Sequence, residues 1–159
     1  MSFEQDTGVT EEGLVEAVNR EAGELIHLLR CTQAPDAVLA EATSHMQRAM
    51  EVLAPHLRQG EGWSTVSIAS DTPGLGWRED DLTACMPYSP ISGKRNPISP
   101  PIRLWRDGEA VRGEAVFSPT YAGPPNSVHG GIIAAVFDEL LSMACLLYTS
   151  DAADDSVLV

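Results

Sequence analysis

His129, Gly130 and Gly131 stand side by side, and Asp138 follows nine residues after the histidine. Paired glycines at the start of a helix let a carbonyl substrate approach backbone N–H groups that have no partner inside the helix, and the helix dipole there favours negative charge. Such donors stabilise the oxyanion that develops when a thioester carbonyl is attacked. A carboxylate two turns further along the same helix can supply a nucleophile, or a base toward water. The same residues also admit a structural reading, in which Gly-Gly loosens a helix start and Asp138 pairs with a buried arginine. On the residues alone both readings stay open.

The elements that must position these groups are legible from periodicity and punctuation. Ile132 to Ala144, IIAAVFDELLSMA, is apolar on nearly every side except at Asp138, Glu139 and Ser142. That pattern predicts a helix buried by its surroundings, on which an ionised carboxylate is costly unless it is used or paired. The preceding YAGPPNSVHGG, with consecutive prolines and then paired glycines, excludes regular structure. PIRLW and AVRGEAVFS flank Arg-Asp-Gly-Glu, which predicts a hairpin turning at Asp107 and Gly108. Val111, Gly113, Ala115 and Phe117 would share one face of its second strand, where small residues let another element pack closely.

Further upstream, Gly60 to Pro101 is rich in Gly, Pro and Ser and reads mostly as loop, with strand character only around Trp63 to Ile68. Two helices are predicted before it. Leu14, Val18, Ala22, Leu25 and Leu29 recur at helical spacing between Thr10 and Arg30, with Glu11 and Glu12 at the positive end. The second opens at Pro35 and Asp36, carries Leu39, Ala42, Met46, Ala49 and Leu53 on one face, and stops near Pro55.

The 159 residues, 43% of them hydrophobic, suit one domain with an extension. A formal net charge of −13 disfavours nucleic acid or an anionic membrane as a partner. Half of the ten basic residues, Lys94, Arg95, Arg103, Arg106 and Arg112, lie in one stretch that holds only the acids Asp107 and Glu109, and read as a solvated strand face. Cys31, Cys85 and Cys145 are neither an even set nor closely spaced, which fits a reducing cytoplasm and no zinc site. The first residues, MSFEQDTGVTEEG, have neither a secretory nor a transit pattern, and no apolar run reads as long enough to span a membrane. His27, His45 and His56 read as surface residues without ligand partners, and Gly74-Leu75-Gly76 as turn chemistry.

YSPISGKRNPISPPI, GEAVFSPTYAGPPNSVHGG and IIAAVFDELLSMA together resemble the acyl-CoA thioesterases of the PaaI and thioesterase-superfamily-member type, within the 4-hydroxybenzoyl-CoA thioesterase superfamily. The likeness covers residues 88–144, and HGG with GPP ahead of it and Asp-Glu after it makes it specific. It implies an α+β hotdog fold, a central helix wrapped by an antiparallel sheet, with a helical extension at residues 1–59 and the thioesterase domain from residue 60. It implies hydrolysis of acyl-CoA without a cofactor or metal, at a site formed between protomers of a homodimer or homotetramer. Asp138 would be the catalytic carboxylate, Gly130 and Gly131 the oxyanion donors, and His129 the group that orients the thioester. Several branches place asparagine six residues before the histidine, where this chain has Gly123; Asn126 lies nearer, and both are candidate substrate-binding positions. A dehydratase would show an HFP-type histidine and a serine hydrolase G-x-S-x-G, and neither is present. The alternative within the resemblance is a silent hotdog domain that binds acyl-CoA or serves assembly.

After Ala144 the chain continues CLLYTSDAADDSVLV, and the family pattern stops. CLLYTSDAADD resembles one reading frame of the mosaic-end adapter used in transposase-based sequencing libraries. Residues 145–159 are therefore expected to be non-native, to add nothing specific to the fold, and to continue the helix from Cys145 to about Thr149. A hotdog sheet requires further long strands after its helix, so residues 60–144 are expected to hold only the N-terminal part of the domain. On that expectation the activity belongs to the intact parent protein, and the chain as written is inactive.

Overall fold

A computed structural model describes the backbone of residues 11–57 and 78–155, and the side chains of 13–57 and 78–148. The strand expected around Trp63 to Ile68 lies outside the described residues. The chain divides into two compact units, one of Met1–Arg30 with Ser64–Val159 and the other of Cys31–Trp63.

In the second unit, helix α2 (Asp36–Leu53) begins and ends where punctuation predicts. The Pro35 carbonyl accepts the N–H groups of Val38 and Leu39 at 2.9 and 3.1 Å, and Asp36 sits in the dipole-positive first turn. A single 3-10 turn, Ala54–His56, follows, with Pro55 unable to donate to a longer helix. No residue of α2 is buried, and Leu39, Met50 and Leu53 are exposed.

In the first unit, helix α1 (Glu11–Cys31) forms where the periodicity put it, but its orientation corrects the reading. Leu14, Val18, Leu25 and Leu29 of the apolar stripe are exposed, while Gly13, Ala17, Gly23 and His27 are half-buried. The reason is close approach: a Cβ at Gly23 would lie 3.1 Å from the Pro97 carbonyl oxygen. His27 is consequently not the surface residue expected.

Strands β1 (Ile102–Asp107) and β2 (Ala110–Ala115) pair antiparallel, with Leu104 opposite Gly113 and Asp107 opposite Ala110. The two-residue turn is Gly108-Glu109, one position later than expected. Gly108 takes φ +62°, the positive value that the first central position of a II′ turn demands. Gly113 admits its neighbours as predicted, since a Cβ there would lie 2.6 Å from Leu104 Cδ2 and 3.3 Å from Leu140 Cδ1.

Helix α3 (Gly130–Asp155) packs against β2, and Met143 and Leu147 join Leu82, Met86 and Leu104 in the core. Each such side chain contributes about 1.5–3 kcal/mol by leaving water. The 3-10 turn Leu82–Cys85 brings Leu82 and Cys85 beneath this sheet, and burial pushes the Cys85 thiol pKa up. Three expectations are corrected here. The helix is not buried all round, because among the described residues a two-stranded sheet covers one face only; Phe137 and Leu141 are each 60% exposed. Leu147, beyond Ala144, is only 6% exposed, so the segment set apart in the sequence does contribute to the core. Helix continues through Asp155 rather than to about Thr149.

Gly130–Tyr148 has mean hydropathy 1.8 over 19 residues, so by length and composition this helix could cross a membrane, contrary to the sequence reading. Asp138 and Glu139 fall at its middle, where a carboxylate in lipid costs about 2.5–3.5 kcal/mol by insertion scales. Its Met143–Leu147 face is already occupied by the protein core.

Candidate active site

The start of α3 is held by a compact loop. Ala122 and Val128 form an antiparallel bridge, His129 donates its backbone N–H to the Tyr121 carbonyl at 2.9 Å, and Gly123 donates to Ser127 O at 2.9 Å. The turn between them closes with Ser127 N–H to Pro124 O at 3.0 Å, with Pro125 and then Asn126 at its centre. Asn126 has φ 60°, so this is the proline-first arrangement of a type II turn, whose third residue must take positive φ. That backbone demand accounts for an asparagine at 126, a residue that tolerates the left-handed region. Tyr121 ties the loop down: its ring meets Phe117 edge to face at 5.9 Å, and its hydroxyl donates to Ile98 O at 3.2 Å. Burial raises the Tyr121 pKa.

Gly123 serves a different purpose from a substrate-binding side chain. A Cβ there would lie 2.8 Å from His129 Cα and 3.0 Å from His129 N. The glycine thus lets the chain pass against the histidine backbone.

His129 is the N-cap of α3. Its Nδ1 accepts the Gly131 N–H at 3.0 Å, and its carbonyl accepts from Ile132 and Ile133 at 2.9 and 3.2 Å. An accepting Nδ1 carries no proton, so the neutral ring keeps its hydrogen on Nε2. Gly131 is therefore already engaged, which corrects the expectation that both glycine amides stand ready for an oxyanion. The Gly130 N–H has no acceptor among the described residues, and a Cβ at Gly130 would meet nothing within 4 Å.

Asp138 is exposed and makes no hydrogen bond or ion pair among the described residues, so neither the burial nor the arginine partner considered for it is found. Eight residues of helix place it about 12 Å along the axis from Gly130, on nearly the same side as Gly131. The structure brings Gly123, Asn126, His129, Gly130 and Gly131 together and leaves Asp138 apart, beside an exposed stripe formed by Ile133, Phe137 and Leu141.

The carboxylate that is paired is Glu139. Its Oε1 accepts from Ser89 Oγ at 2.5 Å and also from Ser92 Oγ, and both serines are buried. The sequence offered no signal for this cluster, since the serines lie 50 and 47 residues away in a loop.

A groove of about 1070 Å³ lies elsewhere, between α1, the loop at 92–101 and the end of the hairpin, and none of His129, Gly130, Gly131 or Asp138 lines it. Its cations are matched: Arg20 meets Glu21, Lys94 meets Asp81, and Arg103 meets Glu114 at 3.4 Å. Arg106 on Glu79 and Arg112 on Asp107 are paired likewise, but Arg95 is only 8% exposed and precedes the strands, which corrects the reading of the basic stretch as one solvated strand face. Volume alone does not make the groove the reactive site; the unengaged donor and carboxylate of α3 are the better candidates on chemical grounds. Among the described residues no three His, Cys, Asp or Glu side chains gather as metal ligands.

No family model matches the chain, and no curated protein matches it. Among solved structures, the crystal structure of a thioesterase superfamily protein aligns with a TM-score of 0.52 and 23% identity, covering 82% of this chain. This chain spans 62% of that protein's length. At that identity the likeness is one of fold: the chain shares the fold of part of a thioesterase superfamily protein.

Proposed function

We propose that the intact parent protein hydrolyses acyl-CoA thioesters to a free acid and CoA on a hotdog fold. It would work in the cytoplasm without a cofactor, as a homodimer or homotetramer whose site is shared between copies. The observation that carries the reading is the Gly130 amide at the positive end of α3 together with the Asp138 carboxylate on the same helix, both without partners among the described residues. Gly130 N–H would hold the developing oxyanion, His129 would orient the thioester, and Asp138 would attack the carbonyl or take a proton from water. Separated by about 12 Å on one helix, the two groups cannot act on one carbonyl. A second copy running antiparallel across Ala134, midway between them, would set each Asp138 level with the other copy's Gly130. The exposed small side chain of Ala134 suits such a crossing, and Ile133, Phe137 and Leu141 would be covered by it.

The second reading, a non-catalytic acyl-CoA-binding or assembly domain, draws on the Gly131 amide being taken by His129, which leaves one oxyanion donor. Thiol release from acyl-CoA substrates separates the two. Turnover that falls by about two orders of magnitude or more in Asp138→Asn, with the fold intact, supports hydrolysis. Binding without turnover in the intact parent protein supports the second.

A further inference from the structure

Glu139 stands next to the proposed reactive carboxylate, yet points about 100° away around the helix, into the protein. The face of α3 that it begins continues through Met143 and Leu147, one and two turns on, both buried among Leu82, Met86 and Leu104. Apolar contacts of that kind are non-directional, so they tolerate a helix that rolls or slips by a fraction of a turn. Glu139 is different. One of its oxygens accepts two hydroxyls from serines that are 2% and 3% exposed. The direction of this network is fixed, because Ser89 Oγ itself accepts the N–H groups of Ile91 and Ser92 at 3.1 and 3.3 Å. Its own hydrogen is thereby committed to the carboxylate. The loop that presents the serines is closed on itself by Gly93 N–H to Ser89 O at 3.0 Å, Arg95 N–H to Pro87 O at 2.7 Å and Asn96 Nδ2 to Tyr88 O at 3.1 Å. A Cβ at Gly93 would lie 2.5 Å from Pro87 O, so the closure depends on glycine there.

We infer that Glu139 is a positioning residue: by gripping Ser89 and Ser92 it fixes the rotation of α3 and keeps Asp138 on the exposed face where substrate would be met. The inference rests on the thioesterase reading of Asp138. It assigns Glu139 no proton transfer, only two charge-assisted hydrogen bonds that lock the helix to the loop.

The test compares Glu139→Gln, Glu139→Leu and the double variant Ser89→Ala with Ser92→Ala in the intact parent protein. It follows acyl-CoA hydrolysis and amide hydrogen exchange together. Gln still offers an acceptor oxygen to both hydroxyls, so kcat should stay within about threefold of the unaltered protein. The Leu and double-serine variants should lower kcat by about tenfold or more with KM changed less than about twofold, as displacement of a reacting group does. Leu should also speed exchange at Ile91 and Ser92, whose amides depend on the orientation of Ser89. Loss of turnover in the Gln variant as complete as in Asp138→Asn would make Glu139 a reacting group and overturn the proposal, as would full turnover in the Leu variant. Should the intact parent protein show no hydrolysis, the thioesterase reading fails and the catalytic half of this inference with it. The grip is then judged on exchange alone, and unchanged protection at Ile91 and Ser92 in both the Leu and Gln variants would dismiss it.

Discussion

Gly123 and His129 are in backbone contact: a methyl group on the glycine would lie 2.8 Å from the histidine Cα. The neighbouring atoms are main chain and cannot swing aside as a side-chain tip would. Gly123→Ala should therefore force the 122–128 bridge apart and cost about 1–3 kcal/mol, the usual range for overpacking. Thermal unfolding checks the stability, and the displaced His129 should also depress thioester turnover. An alanine variant as stable and as active as the parent would show that the loop can yield at this contact.

The elements were largely readable because each is announced locally. Pro35 and Pro55 bracket α2, Gly108 marks the hairpin turn, and the Gly-Gly after His129 opens α3. What escaped depends on partners distant in sequence. The apolar stripe of α1 was legible, but its outward direction follows from Gly23 meeting Pro97, a contact between residues 74 positions apart by their numbers. Asp138 and Glu139 are adjacent in the chain and alike in charge. Only the positions of Ser89 and Ser92 decide that Glu139 is the tethered carboxylate and Asp138 the free one. Gly131 looked like an oxyanion donor because the motif does not reveal that His129 Nδ1 takes its hydrogen.

Asp81 offers a pH-dependent prediction. Burial alone would raise its pKa, but the Lys94 ammonium and the Thr83 hydroxyl, which donates at 2.5 Å, outweigh it and hold the carboxyl below its ordinary 3.8. A folded-state pKa below the unfolded one means that this stabilisation is complete above about pH 4 and is lost as pH falls through the folded value. Asp81→Asn should lower stability at neutral pH and flatten the decline on the acid side. Denaturant unfolding at about pH 7, 5 and 3 measures both. Parallel acid limbs for parent and variant would assign the acid sensitivity to other groups.

The proposal that the site is shared between copies makes its own prediction. Gly130 occupies the first helical position, where proline is well tolerated because its missing N–H has no helical partner to lose. Gly130→Pro should therefore fold while deleting the donor left unengaged among the described residues at the start of α3, and kcat should fall by about 10²–10³, the usual effect of losing an oxyanion donor. Asp138→Asn, altering an exposed side chain, should likewise fold and be inactive. If Gly130 of one copy works with Asp138 of another, refolding the two inactive variants together restores activity. A mixed dimer has one site with both groups intact and one with neither, so about a quarter of the parent's activity should return at equal proportions. If both groups instead served one carbonyl within a single chain, each variant chain would remain defective and mixing would restore nothing.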